Sequence, residues 1–146
     1  MRPDHPQQSL LFYTLRLIDD SLREKLEESI EEFAESRAWV IEAPKVVTVD
    51  EDWEKVPRGN TPFQGIGILL PLYSAHPPNK LPSDIDRRQF DEVTDLVNLL
   101  CAFSKANDIE FEGELDQEYV GVINAGEMDR HMAEVFLGEW RSHLGT

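Results

Sequence analysis

The chain is short of cysteine, short of bases and without any long apolar run. Its single cysteine, Cys101, excludes an intramolecular disulfide. The thiol lies in Leu99-Leu100-Cys101-Ala102-Phe103, where it acts as a small buried apolar group, and its isolation fits a reducing compartment. Such a setting also argues against a catalytic nucleophile, which needs exposure and a nearby positive charge. No segment approaches the roughly 20 apolar residues of a membrane helix. The nearest candidate, residues 10–18, is interrupted by Thr14 and Arg16 and suits neither a signal core nor a span. A cytoplasmic protein with no membrane partner is expected.

Bases number 14 against 29 acids, a net charge of −15. That balance opposes binding to nucleic acid or anionic lipid, both of which need local positive potential. It favours solubility and rapid association with a basic partner. The ordinary alternative is an acidity that is only compositional. The chain has no phosphate-binding lysine loop, no GxSxG elbow and no CxxC pair. Gly65-Ile66-Gly67 lacks the third glycine and the following helix of a dinucleotide site. No cofactor is expected.

What is present suits one globular domain. The 146 residues are 40% hydrophobic and 29% charged, enough for a core without disulfide or metal staples. Residues 1–9, polar and bearing Pro3 and Pro6, read as a flexible N-terminal tail. Residues 10–146 read as a single α+β domain.

Residues 11–18 alternate as a strand, with Leu11, Tyr13, Leu15 and Leu17 on one face and Thr14 and Arg16 on the other. Ser21-Leu22-Arg23-Glu24 has capping-box spacing and predicts a helix to about Ala38, its apolar stripe Leu22, Leu26, Ile30, Phe33 and Ala34. Extended segments follow at 39–42 and 45–49, separated by Pro44. After a loop marked by Pro57, Gly59 and Pro62, residues 65–73 are apolar throughout, as in a central strand. A proline-rich loop precedes a helix from about Ser83 to Ala106, the clearest element in the chain. "IEFEGEL", residues 109–115, and the apolar run 119–123 predict a hairpin. Asn124 and Glu127 have capping-box spacing, predicting a last helix with Met128, Met132, Val135, Phe136 and Trp140 on its apolar side. The first six elements match the ferredoxin-like split β-α-β arrangement, an antiparallel sheet with helices on one face. A C-terminal hairpin strand and helix extend it.

Four constellations carry candidate chemistry. Glu110, Glu112 and Glu114 form a row about 7 Å apart along one strand face, too far apart for neighbours to chelate one small ion unaided. Asp116 extends the row, and no lysine or arginine occurs between Lys105 and Arg130. Its ordinary reading is a solvated sheet face, and its functional reading a negative platform for a basic protein. Trp53, among acids in a loop, is a candidate interface anchor or, equally, a lid folded back over the core. Glu127, His131 and Glu134 share a helical face at metal-like spacing, although an exposed flank explains them as well. His76 sits in the proline-rich loop, where a stiffened connection is the simpler account.

The leading expectation is therefore a small acidic protein-interaction or inhibitory module, with the physics of immunity or antitoxin proteins. It would bind a basic protein through Trp53, Glu110, Glu112, Glu114 and Asp116. One alternative is a small enzyme or ligand-binding domain using His76, His131 and nearby carboxylates. Another is a self-associating subunit that buries a sheet face in a homodimer.

Overall fold

The computed structural model describes residues 7–14, 19–50, 64–73, 83–116 and 118–143. Trp53 and His76 lie outside them. The strands are β1 (Gln7–Thr14), β2 (Lys45–Asp50), β3 (Gln64–Tyr73), β4 (Phe111–Leu115), β5 (Glu118–Asn124) and β6 (Glu127–Met128). They form one sheet in the order β2-β3-β1-β4-β5-β6, and every neighbouring pair is antiparallel. α1 (Asp20–Glu35) lies between β1 and β2 in the chain, and α2 (Ser83–Asn107) between β3 and β4. A third helix ends the described chain, π-helical over His131–Leu137 and then α-helical as α3, Gly138–His143.

β1 begins four residues before the expected strand. Gln7 to Ser9, read as tail, pair with Tyr73 to Pro71 of β3. The buried face also differs. Leu10, Phe12 and Thr14 are wholly buried, whereas Leu11 and Tyr13 lie on the other side, only half-buried. Both faces of Leu10-Leu11-Phe12-Tyr13 are apolar, so alternation alone does not choose the inward one. Thr14 is tolerated inside because its hydroxyl accepts the Ile66 N–H at 3.3 Å.

One continuous core joins this face to the helices. Leu10, Phe12, Ile66, Ile68, Leu70, Phe111 and Ile123 from the sheet pack with Leu26 and Ile30 of α1 and Val93, Leu96 and Leu100 of α2. Each such side chain contributes about 1.5–3 kcal/mol of burial, set against the entropy of ordering it.

Local polar bonds set the element ends. Asp19, not Ser21, caps α1, its Oδ1 accepting the Leu22 N–H at 2.8 Å. A carboxylate there also meets the positive end of the helix dipole. The helix stops at Glu35, short of Ala38, where Ser36 N–H and Oγ both donate to the Phe33 carbonyl. Residues 39–42 form no strand. The Trp39 indole donates to the Ala34 carbonyl at 2.8 Å and its ring meets Phe33 edge-on. The Val40 N–H donates to the buried Glu92 carboxylate at 2.9 Å. The Glu92 bond takes the Val40 N–H that a sheet ladder would need.

The largest departure is at the C-terminal hairpin. Asn124-Ala125-Gly126-Glu127 is a two-residue turn between β5 and β6, not a helix cap. Ala125 and Gly126 have φ of 53° and 83°, the positive values that tight hairpin turns require. The buried Ser104 hydroxyl fixes the turn, accepting the Gly126 N–H at 3.2 Å and donating to the Ile109 carbonyl at 2.5 Å. The helix begins after Asp129, whose Oδ1 accepts the Met132 N–H at 2.9 Å. The i→i+5 bonding of a π-helix displaces the expected stripe, so Met132 and Leu137 are buried while Val135 is 43% exposed.

Candidate functional site

The second face of the sheet, opposite Leu10 and Phe12, gathers the acidic residues. In β4, Phe111 and Gly113 point to the core, so Glu112 and Glu114 project the other way. Gly113 is needed there, because a Cβ would lie 2.8 Å from the Phe12 ring and 2.9 Å from Val120. Register with β1 sets Tyr13 opposite Glu112 and Leu11 opposite Glu114. Register continues from Leu11 to Leu69 of β3 and on to Lys45 at the β2 edge. A bulge between Gly113 and Glu114 then sets Tyr119 of β5 opposite Glu114.

Tyr13 ties the carboxylates together. Its hydroxyl is hydrogen-bonded to Glu112 Oε2 and lies 3.1 Å from Glu114 Oε1. Burial, and then the charge of Glu114, push the Glu112 carboxyl above the usual carboxylate range. Asp116 closes the row at the β4–β5 turn, with φ 49°. Its Oδ1 accepts the Ser9 N–H at 2.8 Å, and its own N–H donates to the Ser9 carbonyl at 2.9 Å. Ser9, Leu11, Leu69, Glu114 and Asp116 line a shallow depression of about 350 Å³. Its lining thus combines two leucines with two carboxylates. That combination suits a cation on an alkyl stem, whose methylenes can lie on apolar surface while the head meets the acids.

Of the expected row, the structure unites Glu112, Glu114 and Asp116. Glu110 precedes β4 and stands outside the Tyr13 network. Tyr13 itself was legible only as an apolar member of a strand. Its hydroxyl became significant once β4 was known to be its neighbour, 99 residues away in sequence.

A second polar cluster surrounds Asp129. The Tyr119 hydroxyl donates to Asp129 Oδ2 at 2.9 Å, and the Tyr119 and His131 rings lie 5.2 Å apart. Burial raises the Asp129 carboxyl, but the Met132 and Tyr119 donors outweigh it and hold it below the usual range. Glu127 lies on β6 rather than on the helix with His131 and Glu134. Glu134 Oε2 accepts from Arg130 Nε at 2.7 Å. Among the described residues no group of three or more histidine, cysteine or acidic side chains could hold a metal ion. Nor is any described helix long and apolar enough to cross a membrane.

No family model, curated protein or solved structure matches the chain.

Proposed function

We propose that the protein is a small acidic interaction or inhibitory module that captures a basic protein on the β1–β4 face. The observation that carries this reading is the depression in which Glu114 and Asp116 stand beside Leu11 and Leu69. A lysine or arginine of the partner would lay its stem across the leucines and its charge against the carboxylates. The net charge of −15 supplies long-range steering. We further read the first six elements as a ferredoxin-like split β-α-β unit, extended by β5, β6 and the last helix. The strand order β2-β3-β1-β4 supports that reading. A cytoplasmic location accords with the lone thiol, which burial pushes up and so makes less reactive.

The test is a pull-down from native lysate at low and high salt, comparing the native chain with a Glu112→Gln/Glu114→Gln/Asp116→Asn variant. A basic protein held by the native chain, released as salt rises and absent from the variant, is expected. Capture indifferent to salt and to the three amides would overturn the proposal.

A further inference from the structure

We propose that Glu112, Tyr13 and Glu114 share one proton, and that capture of a cationic partner expels it. The inference rests on the reading of this face as the partner surface, and it adds a mode of regulation to that surface.

The argument is a count of hydrogens. A tyrosine hydroxyl has one to donate. Tyr13 presents its hydroxyl to two carboxylates, hydrogen-bonded to Glu112 and 3.1 Å from Glu114. With both ionised, one hydrogen serves two anions, and at least one carboxylate oxygen faces an oxygen lone pair. A proton on Glu112 removes the conflict. Glu112 then donates to Tyr13 Oη, and Tyr13 donates to Glu114, so every contact in the chain has a donor and an acceptor. This direction leaves the negative charge on Glu114, the member that lines the open depression.

Among the described residues, the neighbouring strands supply no competing cation. β1 contributes Tyr13 itself opposite Glu112. β4 contributes Glu114, with Glu110 just before the strand. β5 sets apolar Val122 opposite Glu112 and Tyr119 opposite Glu114, and the Tyr119 hydroxyl is committed to Asp129. Lys45 of β2 stands three strands away, about 14 Å at the usual strand spacing. No described neighbour therefore offsets a second negative charge until a partner brings positive charge. Burial and the neighbouring Glu114 charge raise the Glu112 carboxyl, in agreement. When a lysine or arginine settles in the depression, its charge replaces the proton, which leaves Glu112 for bulk water. Capture then strengthens as pH rises through the Glu112 titration.

The experiment has two arms on the full chain. In the first, the side-chain carboxyl carbons of isotope-labelled protein are followed by NMR from acid to neutral pH. Glu112 is expected to titrate above the usual carboxylate range, and Glu114→Gln is expected to lower it. The unchanged shifts of distant glutamates report that the variant is folded. Glu112 titrating within the usual carboxylate range in the native chain overturns the shared proton. In the second arm, a decalysine peptide is titrated into the protein by calorimetry in two buffers of different ionisation heat. A heat that depends on buffer in the native chain but not in Glu112→Gln supports proton release. Equal heats in both buffers overturn the coupling. A late Glu112 titration without any decalysine binding supports the shared proton and overturns the partner reading, so the two failures are distinguishable.

Discussion

The two faces of the same strands satisfy their polar groups in opposite ways. On the helix-covered face the buried Thr14 and Ser104 hydroxyls have definite bonds, Thr14 to the Ile66 N–H and Ser104 to Ile109 and Gly126. On the other face Tyr13, Glu112 and Glu114 bring more acceptors than hydrogens. Burial against helices leaves no water to complete a polar group, so it must be completed internally. The second face is half-exposed, so water can complete the set that the side chains leave unfinished.

Substitutions that alter one face without the other sharpen this contrast. The largest effect is expected at Gly121, which has φ 141° and on which a Cβ would lie 2.4 Å from Met132 Cβ. Gly121→Ala combines backbone strain with overpacking and should cost roughly 3 kcal/mol or more, read from the urea midpoint. A cost under 1 kcal/mol would show that the β5–helix contact yields.

Glu92 comes next. It is 4% exposed, and its carboxylate accepts the Val40 N–H. Glu92→Ala leaves that donor unsatisfied and should cost about 1–3 kcal/mol, whereas Glu92→Gln keeps an acceptor. Burial dominates the upward displacement of the Glu92 carboxyl, against the Val40 bond and the charges of Arg88 and Arg37. A raised acid favours the protonated folded state. Its contribution is fully present below the unfolded value and is lost as pH rises through the folded one. Urea titrations should therefore show Glu92→Gln flattening the native decline on that side.

Asp129 gives the opposite sign. Its carboxyl is held low, so its stabilisation is present above the unfolded value and lost as pH falls through the folded one. Asp129→Ala should cost about 0.5–2 kcal/mol through the lost cap, with the difference vanishing in acid. An acid-independent difference would assign the effect to packing instead.

The smallest stability effect belongs to the second face. Glu112→Gln removes a raised, half-buried acid beside Glu114 and should be neutral or stabilising by about 0.5 kcal/mol or less at neutral pH. A loss above 1 kcal/mol would mean that the carboxylate is structural.

Strong single-face patterns were legible in the chain. α2 ends at Asn107, one residue beyond the periodic stripe, and the β4–β5 hairpin lies where the alternation of "IEFEGEL" puts it. Segments with two plausible uses were misread. Residues 39–42 have strand composition, but the Trp39 indole and the Val40 N–H bond to Ala34 and Glu92. Asn124 to Glu127 have cap spacing, but Gly126 fits a left-handed turn held by Ser104 from another element. For the site, Glu112, Glu114 and Asp116 were visible as a charge row, whereas Tyr13 was not.

The class of fold, helix α2 and the concentration of acid near the hairpin follow from periodicity and charge, which are local properties of the chain. Which face of β1 is buried, where Tyr13 finds its carboxylates and how Asn124 to Glu127 turn are settled by the packed fold. Each of those depends on a partner brought from a distant part of the chain. A hydroxyl, an apolar face or a glycine has no fixed role until that partner arrives to complete it.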